Sequence, residues 1–111
     1  MRSIAWVRFP APVGRHPALI LTRQVVREAM TNVSCALITS TVRGLSTEVP
    51  VGEDVGLEHD SVVSCANVLT VPKSLIDDEI GYFPTAREPE LTRALMAAYN
   101  LADPDADTAA W

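Results

Sequence analysis

The sequence predicts a mainly β protein, in which a curved antiparallel sheet or small barrel is followed by one helix. Two observations predict this class. Several short segments rich in β-branched and aromatic residues are separated by turn-forming residues, and only one later segment has strong helical periodicity. Several strands followed by one helix favour a sheet that curls over its own core.

The predicted strands are short and each is bounded by proline, glycine or polar residues. In chain order they cover residues 4–9, 18–22, 31–41, 47–51, 61–71 and about 80–83. The second and third are predicted to form the centre of the sheet, with one helical turn between them at residues 25–30. Pro50 places 47–51 at an edge, since proline cannot donate to a strand ladder, and 61–71 is predicted to bend near Ala66 and Asn67.

The predicted helix covers residues 88–101. Its apolar positions, at helical spacing, are Leu91, Leu95, Ala98 and Tyr99. Glu88 and Glu90 favour the positive end of the helix dipole, and Asp103-Pro104 is expected to end the helix. We expect one domain, residues 1–102, and an acidic, flexible tail, residues 103–111, with Asp77, Asp78 and Glu79 in a solvated loop.

Composition narrows the function classes. The chain has 111 residues, of which 48% are hydrophobic, so it is long and apolar enough for one modest core. No run approaches the roughly 18 apolar residues of a membrane span, and no secretory leader is apparent, so we expect a cytoplasmic protein without membrane contact. Cys35 and Cys65 are expected to be buried thiols rather than a disulfide, and neither metal nor cofactor is expected, because the Cys and His spacing does not suit a metal.

Charge is distributed unevenly along the chain. The net charge is −5, yet residues 1–50 carry +4 and residues 51–111 carry −9. The basic half is consistent either with one phosphate-attracting surface on an acidic body or with scattered surface charge.

Three blocks of the sequence resemble one protein family. They are HPALILTR (residues 16–23), LITSTVRGLSTEVPV (residues 37–51) and DSVVSCANVLTVPKS (residues 60–74). Their order and spacing resemble those of the MazF/PemK toxins, and the final strand and helix continue the match over nearly the whole chain.

The resemblance implies an SH3-like barrel fold, shared with CcdB-like toxins, and a homodimer whose interface carries an RNA groove. It also implies a metal-independent endoribonuclease that cuts single-stranded RNA at short sequences. Such an enzyme lets the substrate 2′-hydroxyl attack the phosphate and leaves a 2′,3′-cyclic phosphate. The expected partner is a small, acidic, partly disordered antitoxin of a toxin–antitoxin system.

The resemblance also indicates catalytic residues. Thr39 matches the family threonine, and its hydroxyl, beside Ser40, can donate to a phosphate oxygen. His16 stands where the family usually has arginine, so we expect His16 as acid or base and Arg15 as a source of charge, if a loop aims both at one phosphate. The alternatives are an ordinary strand threonine and a turn histidine before Pro17.

The expected RNA-binding residues are Arg43, Thr41, Asn67 and Arg23. Arg43 follows the central strand beside Gly44, in a loop suited to contact phosphate, although a solvated arginine or a surface ion pair with Glu48 would also explain it. Asn67 is suited to contact a base edge or to shape the bend. Ala66 stands where some relatives have an acidic residue, and Leu69 where a polar one is common.

Two further functions remain open at this point. The substitutions at His16 and Ala66 suit a catalytically weakened member that still dimerises and binds antitoxin or RNA. A gyrase-directed toxin on the same fold would need contacts from the C-terminal helix end, for which Trp111 is a candidate.

Overall fold

The computed structural model describes residues 2–102, and the predicted tail, with Trp111, lies outside them. The strands are β1 (Arg2–Arg8), β2 (Arg15–Ile20), β3 (Asn32–Thr39), β4 (Glu48–Val51), β5 (Ser61–Pro72) and β6 (Ile76–Phe83). The helices are α1 (Gln24–Arg27) and α2 (Glu88–Ala98), and short 3₁₀ turns cover 53–55, 73–75 and 85–87. Within residues 2–102 no helix is long and apolar enough to cross a membrane.

All six strands form one antiparallel sheet in the order β4-β5-β3-β2-β1-β6. The predicted mainly β class is confirmed, with β2 and β3 at the centre and β4 at an edge. β4 and β6 are the two edges and do not pair with each other. The curled sheet is therefore open, and it forms a half-barrel. Pro50 lies in the edge strand opposite Val62, where its missing N–H leaves few ladder bonds unmade.

The predicted bend in β5 is a bulge. The pairing partner of β5 changes from Ala36 opposite Val68 to Leu37 opposite Ser64, so the intervening residues of β5 have no counterpart in β3. The amide Nδ2 of Asn67 donates to Oγ of Ser64 at 2.8 Å and ties the bulge to the strand. A bulge bends its strand and re-aims side chains, which leaves Ala66 and Asn67 exposed.

Two strands begin well before their predicted first residues. β2 begins at Arg15 because Arg15 and His16 pair with Arg8 and Val7 of β1, and tertiary pairing outweighs the local signal of Pro17. Likewise, β6 begins at Ile76, so residues 77–79 lie in a strand that pairs with β1, and not in a loop.

Helix α2 ends at Ala98, before the predicted Asp103-Pro104 stop. Asn100 adopts φ 53°, and the Leu101 N–H donates to the Met96 carbonyl at 2.8 Å. This is a left-handed cap, which asparagine tolerates better than most residues. Leu91 and Ala94 are buried, whereas Tyr99, predicted on the apolar face, is 55% exposed.

The apolar residues form a cluster on each face of the sheet. One lies under α2 and includes Ile4, Leu19, Ile38, Val63, Phe83 and Leu91. The other includes Val7, Ile20, Val33, Cys35 and Val71. The expected buried thiols are confirmed, since Cys35 and Cys65 are both free and buried, and burial raises the pKa of each thiol to about 11.

Two glycines let the 3₁₀ turn at residues 53–55 approach β6. A Cβ added at Gly81 would lie 2.0 Å from the Val55 carbonyl oxygen, and one at Gly56 would lie 2.6 Å from the Ile80 carbonyl oxygen. Gly56 also has φ +94°, a conformation that L side chains rarely adopt. This contact fixes the segment that leads into residues 57–61.

Candidate active site

His16 and Thr39 are brought together by the register of the two central strands. Ala18 pairs with Leu37 in the antiparallel β2–β3 ladder. Continuing this register by two residues places His16 opposite Thr39. Directly opposed residues of an antiparallel pair project from the same face. Both side chains are half-buried, so the sheet places an imidazole beside a hydroxyl at the ends of β2 and β3.

This pair lines a cavity of about 320 Å³, which we call the Thr39 cleft. Its remaining lining residues come from the end of β3, the β3–β4 loop, the start of β4 and the β5 bulge. They are Leu37, Ile38, Thr41, Arg43, Leu45, Thr47, Glu48, Ser64, Ala66 and Asn67. The cleft thus contains five of the eight residues proposed from the sequence.

The Thr39 hydroxyl is oriented by the backbone. Its Oγ1 accepts a hydrogen bond from the Thr41 N–H at 3.1 Å. A threonine hydroxyl has one proton to donate besides its two acceptor lone pairs, so the bond from Thr41 leaves the Thr39 proton available. The hydroxyl is therefore fixed as an acceptor toward the loop while it keeps a donor for a ligand.

Glu48 holds the loop that carries Arg43. Its Oε1 accepts the backbone N–H groups of Arg43 at 3.1 Å and of Leu45 at 3.2 Å. The ion pair suggested by the sequence is therefore replaced by a loop-closing interaction with the backbone. Within residues 2–102 no carboxylate lies within 4.0 Å of the Arg43 guanidinium, so its charge remains available at the rim of the cleft.

The β5 bulge supplies the opposite side of the cleft. Because the Asn67 amide nitrogen donates to Ser64, the exposed Asn67 side chain is held in one orientation. Ala66 contributes only a methyl group. The acid or base that some relatives carry on this strand is therefore absent here.

Three of the proposed residues lie outside the cleft. Arg15 projects from the other face of β2, where its Cζ lies 4.2 Å from the centroid of the Trp6 ring and its Nε is 4.0 Å from Asp77. Since Arg15 lies in a strand, the loop that would aim it and His16 at one phosphate is not formed. Arg23 lines a separate cavity with Arg2 and Arg27, and Ser40 lines a neighbouring one.

That neighbouring cavity, of about 340 Å³, shares His16, Ile38 and Thr39 with the cleft, and we call it the histidine pocket. It is lined by Trp6, His16, Pro17, Ile38, Thr39, Ser40, Gly56, Leu57, Glu58, His59, Ser61 and Ile80. Both histidines of the chain line it. His59 lies outside the three family-like blocks of the sequence, although it is the only imidazole besides His16.

Neither histidine ring takes part in a hydrogen bond among the described residues, and no group of three His, Cys, Asp or Glu residues in that part of the chain is arranged to hold a metal. The arrangement offers a hydroxyl donor, an imidazole and a guanidinium around one cleft. Such groups suit proton transfer and charge stabilisation at a phosphate.

Comparison with known proteins agrees with this geometry. The profile of the PemK-like, MazF-like toxins of type II toxin–antitoxin systems matches residues 2–99. The endoribonuclease MazF3 of Mycobacterium tuberculosis (strain H37Rv) is 52% identical over 85 residues, which cover 77% of this chain and 82% of that protein.

Solved structures give the same family. The Mycobacterium tuberculosis toxin MazF-mt6 superposes with a TM-score of 0.87 at 45% identity, covering 92% of this chain and all of that chain. A mycobacterial endoribonuclease solved with its cognate antitoxin shares the fold, with a TM-score of 0.78 at 24% identity, 92% coverage of this chain and 95% of that one.

Proposed function

This chain belongs to the PemK-like, MazF-like family of type II toxins, and we propose that it is a sequence-selective endoribonuclease that cuts single-stranded RNA within the Thr39 cleft. The observation that carries this proposal is that the cleft combines Thr39, His16 and Arg43, whose guanidinium has no carboxylate within 4.0 Å among residues 2–102. Its 52% identity to an endoribonuclease supports the same activity.

The proposed reaction uses the substrate's own 2′-hydroxyl. The 2′-oxygen forms a bond to phosphorus while the bond to the 5′-oxygen breaks, which leaves a 2′,3′-cyclic phosphate and a 5′-hydroxyl. His16 exchanges a proton with the attacking or the leaving oxygen, and water completes the proton balance. Thr39 donates its free proton to a non-bridging oxygen, and Arg43 stabilises the phosphate charge.

This assignment gives His16 the place that the family usually fills with arginine. Arg15 cannot supply the missing charge from the far face of β2, where Trp6 and Asp77 engage it. Arg43 is then the cation that lies in the cleft, and Thr41 and Asn67 are positioned to contact the sugar or the base edges.

A catalytically weakened member is the second candidate. Ala66 lines the cleft with a methyl group and cannot take part in proton transfer. His16 is then the one imidazole in the cleft for acid–base catalysis. The gyrase hypothesis depended on Trp111, outside the described residues, and the family match gives it no support.

The partners that we propose are a second copy of this chain and an acidic, partly disordered antitoxin. Val25, Val26 and Met30 are 66%, 42% and 50% exposed, and contiguous apolar exposure of this kind is typical of an interface. An acidic segment that folds on binding would complement Arg43 in the groove. We place the protein in the cytoplasm, where RNA targets and antitoxin occur together.

The test is cleavage of a long RNA by antitoxin-free protein in EDTA, with mapping of the new 5′ ends. We expect discrete cuts that Thr39→Ala lowers by about 100-fold or more. Thr70→Ala is the matched control. Thr70 lies on β5, where its hydroxyl is hydrogen-bonded to that of Ser34 on β3, and it does not line the cleft. This variant should cut like wild type.

His16 variants separate the two candidates. His16→Ala should lower the cutting rate by about 100-fold or more and flatten the pH profile of the remaining rate, whereas Thr39→Ala should keep the profile's shape. A folded wild-type protein that leaves the RNA intact, yet binds it with a dependence on Arg43, would reject the nuclease in favour of the weakened, RNA-binding member.

A further inference from the structure

We propose that the histidine pocket binds one nucleobase of the RNA, that of a nucleotide next to the phosphate at Thr39, and that it selects a base with an exocyclic amino group. This inference rests on the proposed function, because the pocket is assigned to a base only if the phosphate reacts at the neighbouring Thr39 cleft. It assigns a recognition role to Glu58 and His59, which the cleavage chemistry does not use.

The position of the pocket carries the first step. His16, Ile38 and Thr39 line both the histidine pocket and the Thr39 cleft, so the two cavities share one wall. Any group bound in the pocket therefore lies against the two residues assigned to the reacting phosphate. In a nucleic acid, the groups within reach of a phosphate are the sugars and bases of the two flanking nucleotides.

The charges of the two cavities indicate which one binds the phosphate and which one binds the base. Arg43 lines the cleft, and the one carboxylate that lines it among the described residues, Glu48, is bonded by two backbone N–H groups. Among residues 2–102 no Arg or Lys lines the histidine pocket, whereas the exposed Glu58 does. The Arg15 guanidinium, stacked on the Trp6 wall, already has Asp77 at 4.0 Å. A carboxylate without a cation repels a phosphate, so the phosphate binds in the cleft and the uncharged base is left for the pocket.

The lining suits a planar, uncharged ring. Pro17, Ile38, Leu57 and Ile80 supply apolar wall, and polar groups lie among them, which is the usual composition of a small-ligand site. Proteins that bind single-stranded RNA stack splayed-out bases on aromatic side chains, histidine included. His59 is exposed, and its ring has no hydrogen-bond partner among the described residues, so it is available for such stacking.

Two contacts hold the pocket open before RNA arrives. The Ser61 hydroxyl donates to the His59 carbonyl at 3.0 Å, which fixes the turn that carries the imidazole. On the other side, the Arg15 guanidinium covers one face of the Trp6 indole at 4.2 Å and holds the ring as a wall. A preformed pocket loses less conformational entropy on binding.

Glu58 gives the preference for an amino group. An ionised carboxylate only accepts hydrogen bonds, and it pairs with an exocyclic amino group, as it does with the N4 amine of cytosine. Adenine, cytosine and guanine carry such a group. The one N–H that uracil offers, at N3, lies between two carbonyl oxygens that a carboxylate repels. The pocket is therefore expected to reject uracil at the one position that it contacts.

The first test measures base preference with oligonucleotides that differ at one position flanking the mapped cut. For wild type we expect cutting of the amino-bearing base to exceed that of uracil by about tenfold or more. Glu58→Gln and His59→Ala should reduce this ratio toward one, with preferences elsewhere unchanged. Glu53→Gln is the matched control, since Glu53 is an exposed acid on the preceding turn outside the pocket.

The second test does not need cleavage. In Trp111→Phe, Trp6 is the sole tryptophan, because the chain has two. An oligonucleotide with a 2′-deoxy sugar at the cut should change the Trp6 fluorescence, and a uracil substitution at the flanking position should weaken that response about tenfold. Wild-type cutting with no effect of Glu58→Gln or His59→Ala on base preference would overturn the pocket assignment and leave the nuclease intact. Failure of cutting together with a Trp6 response that depends on the base would reject the nuclease alone.

Discussion

The arginines at the α2 side of the molecule differ from the arginine at the Thr39 cleft. Arg87 donates to Asp54 at 2.9 Å and to Glu90 at 2.7 Å, and Arg2 bonds Glu88 at 3.0 Å. Arg43, by contrast, has no carboxylate within ion-pair distance among the described residues.

This difference shows that arginine serves two purposes in a chain of net charge −5. On the α2 side the carboxylates neutralise guanidinium groups that tie α2 to the sheet. At the cleft the nearest carboxylate, Glu48, is bonded to backbone N–H groups and leaves the guanidinium to a ligand. Substitutions on the first side should therefore change stability, and those on the second side should change RNA cleavage.

The largest stability effect is expected at Gly81, on the α2 side. Gly81→Ala would put a Cβ 2.0 Å from the Val55 carbonyl oxygen, and since the obstacle is backbone, we expect a loss on the order of 3 kcal/mol in the free energy of unfolding. Urea denaturation would measure it. Gly14→Ala is the control, because Gly14 has φ +75° but open space around it, and it should lose only about 1 kcal/mol. Equal losses in both variants would contradict the close contact.

Arg43→Ala is expected to lower cleavage by about 10- to 100-fold, the equivalent of one charge-assisted hydrogen bond, without a change in the urea midpoint. The slope of log affinity against log salt should fall by about 0.7, as expected for one lost contact to a single-stranded phosphate. Arg93→Ala removes another exposed arginine, on α2, and should leave cleavage unchanged. A similar loss of cleavage in both variants would mean that overall charge, and not the cleft, attracts RNA.

Arg87→Ala should show the reverse pattern. Its guanidinium bonds two carboxylates and the Pro50 carbonyl and lies over the Phe83 ring, so we expect a loss of about 1–2 kcal/mol in stability. The cleavage rate of the folded variant, measured well below its melting temperature, should equal that of wild type. A large loss of cleavage in the folded variant would contradict the claim that arginines on the α2 side serve stability and not RNA cleavage.

The smallest expected effect is the pH dependence of the Arg87–Glu90 pair. The hydrogen bond from Arg87 lowers the pKa of Glu90 below its ordinary value, so the pair contributes stability above the unfolded-state pKa of Glu, about 4.3, and loses it as pH falls through the lower folded value. Because the Glu90 side chain is 40% exposed, solvent screens the pair and the contribution should be about 0.5 kcal/mol or less. The stability difference between wild type and Glu90→Gln should shrink between pH 6 and pH 3, and a constant difference would contradict this cause.

Much of the sheet is predictable because strand signals are local. Pro50 identifies the edge strand, and the Cys-Ala-Asn segment of β5 carries the bulge. The starts of β2 and β6 were predicted too late in the sequence, because local composition does not reveal cross-strand pairing. That pairing extends the strands through Pro17 and through the acidic residues 77–79.

The site was predictable only in part. Thr39, Arg43 and Asn67 belong to recognisable blocks, and the structure brings them into one cleft with His16. Arg15 could not be separated from His16 by sequence, since the two share a motif but project from opposite faces once β2 includes them. The pocket at His59 depends on the close approach of the segment around Gly56 to the segment around Gly81. These segments are distant in sequence, so a local sequence pattern does not predict their contact.

The central claim, cleavage at the Thr39 cleft through the substrate's 2′-hydroxyl, is tested most directly by one modified RNA. Two oligonucleotides would contain the mapped cut site and differ only in a 2′-deoxy sugar at the nucleotide whose 2′-hydroxyl should attack. We expect the unmodified RNA to give a 2′,3′-cyclic phosphate end and the modified one to stay intact while it binds with similar affinity. Cutting of the 2′-deoxy substrate at a comparable rate would contradict the proposed chemistry.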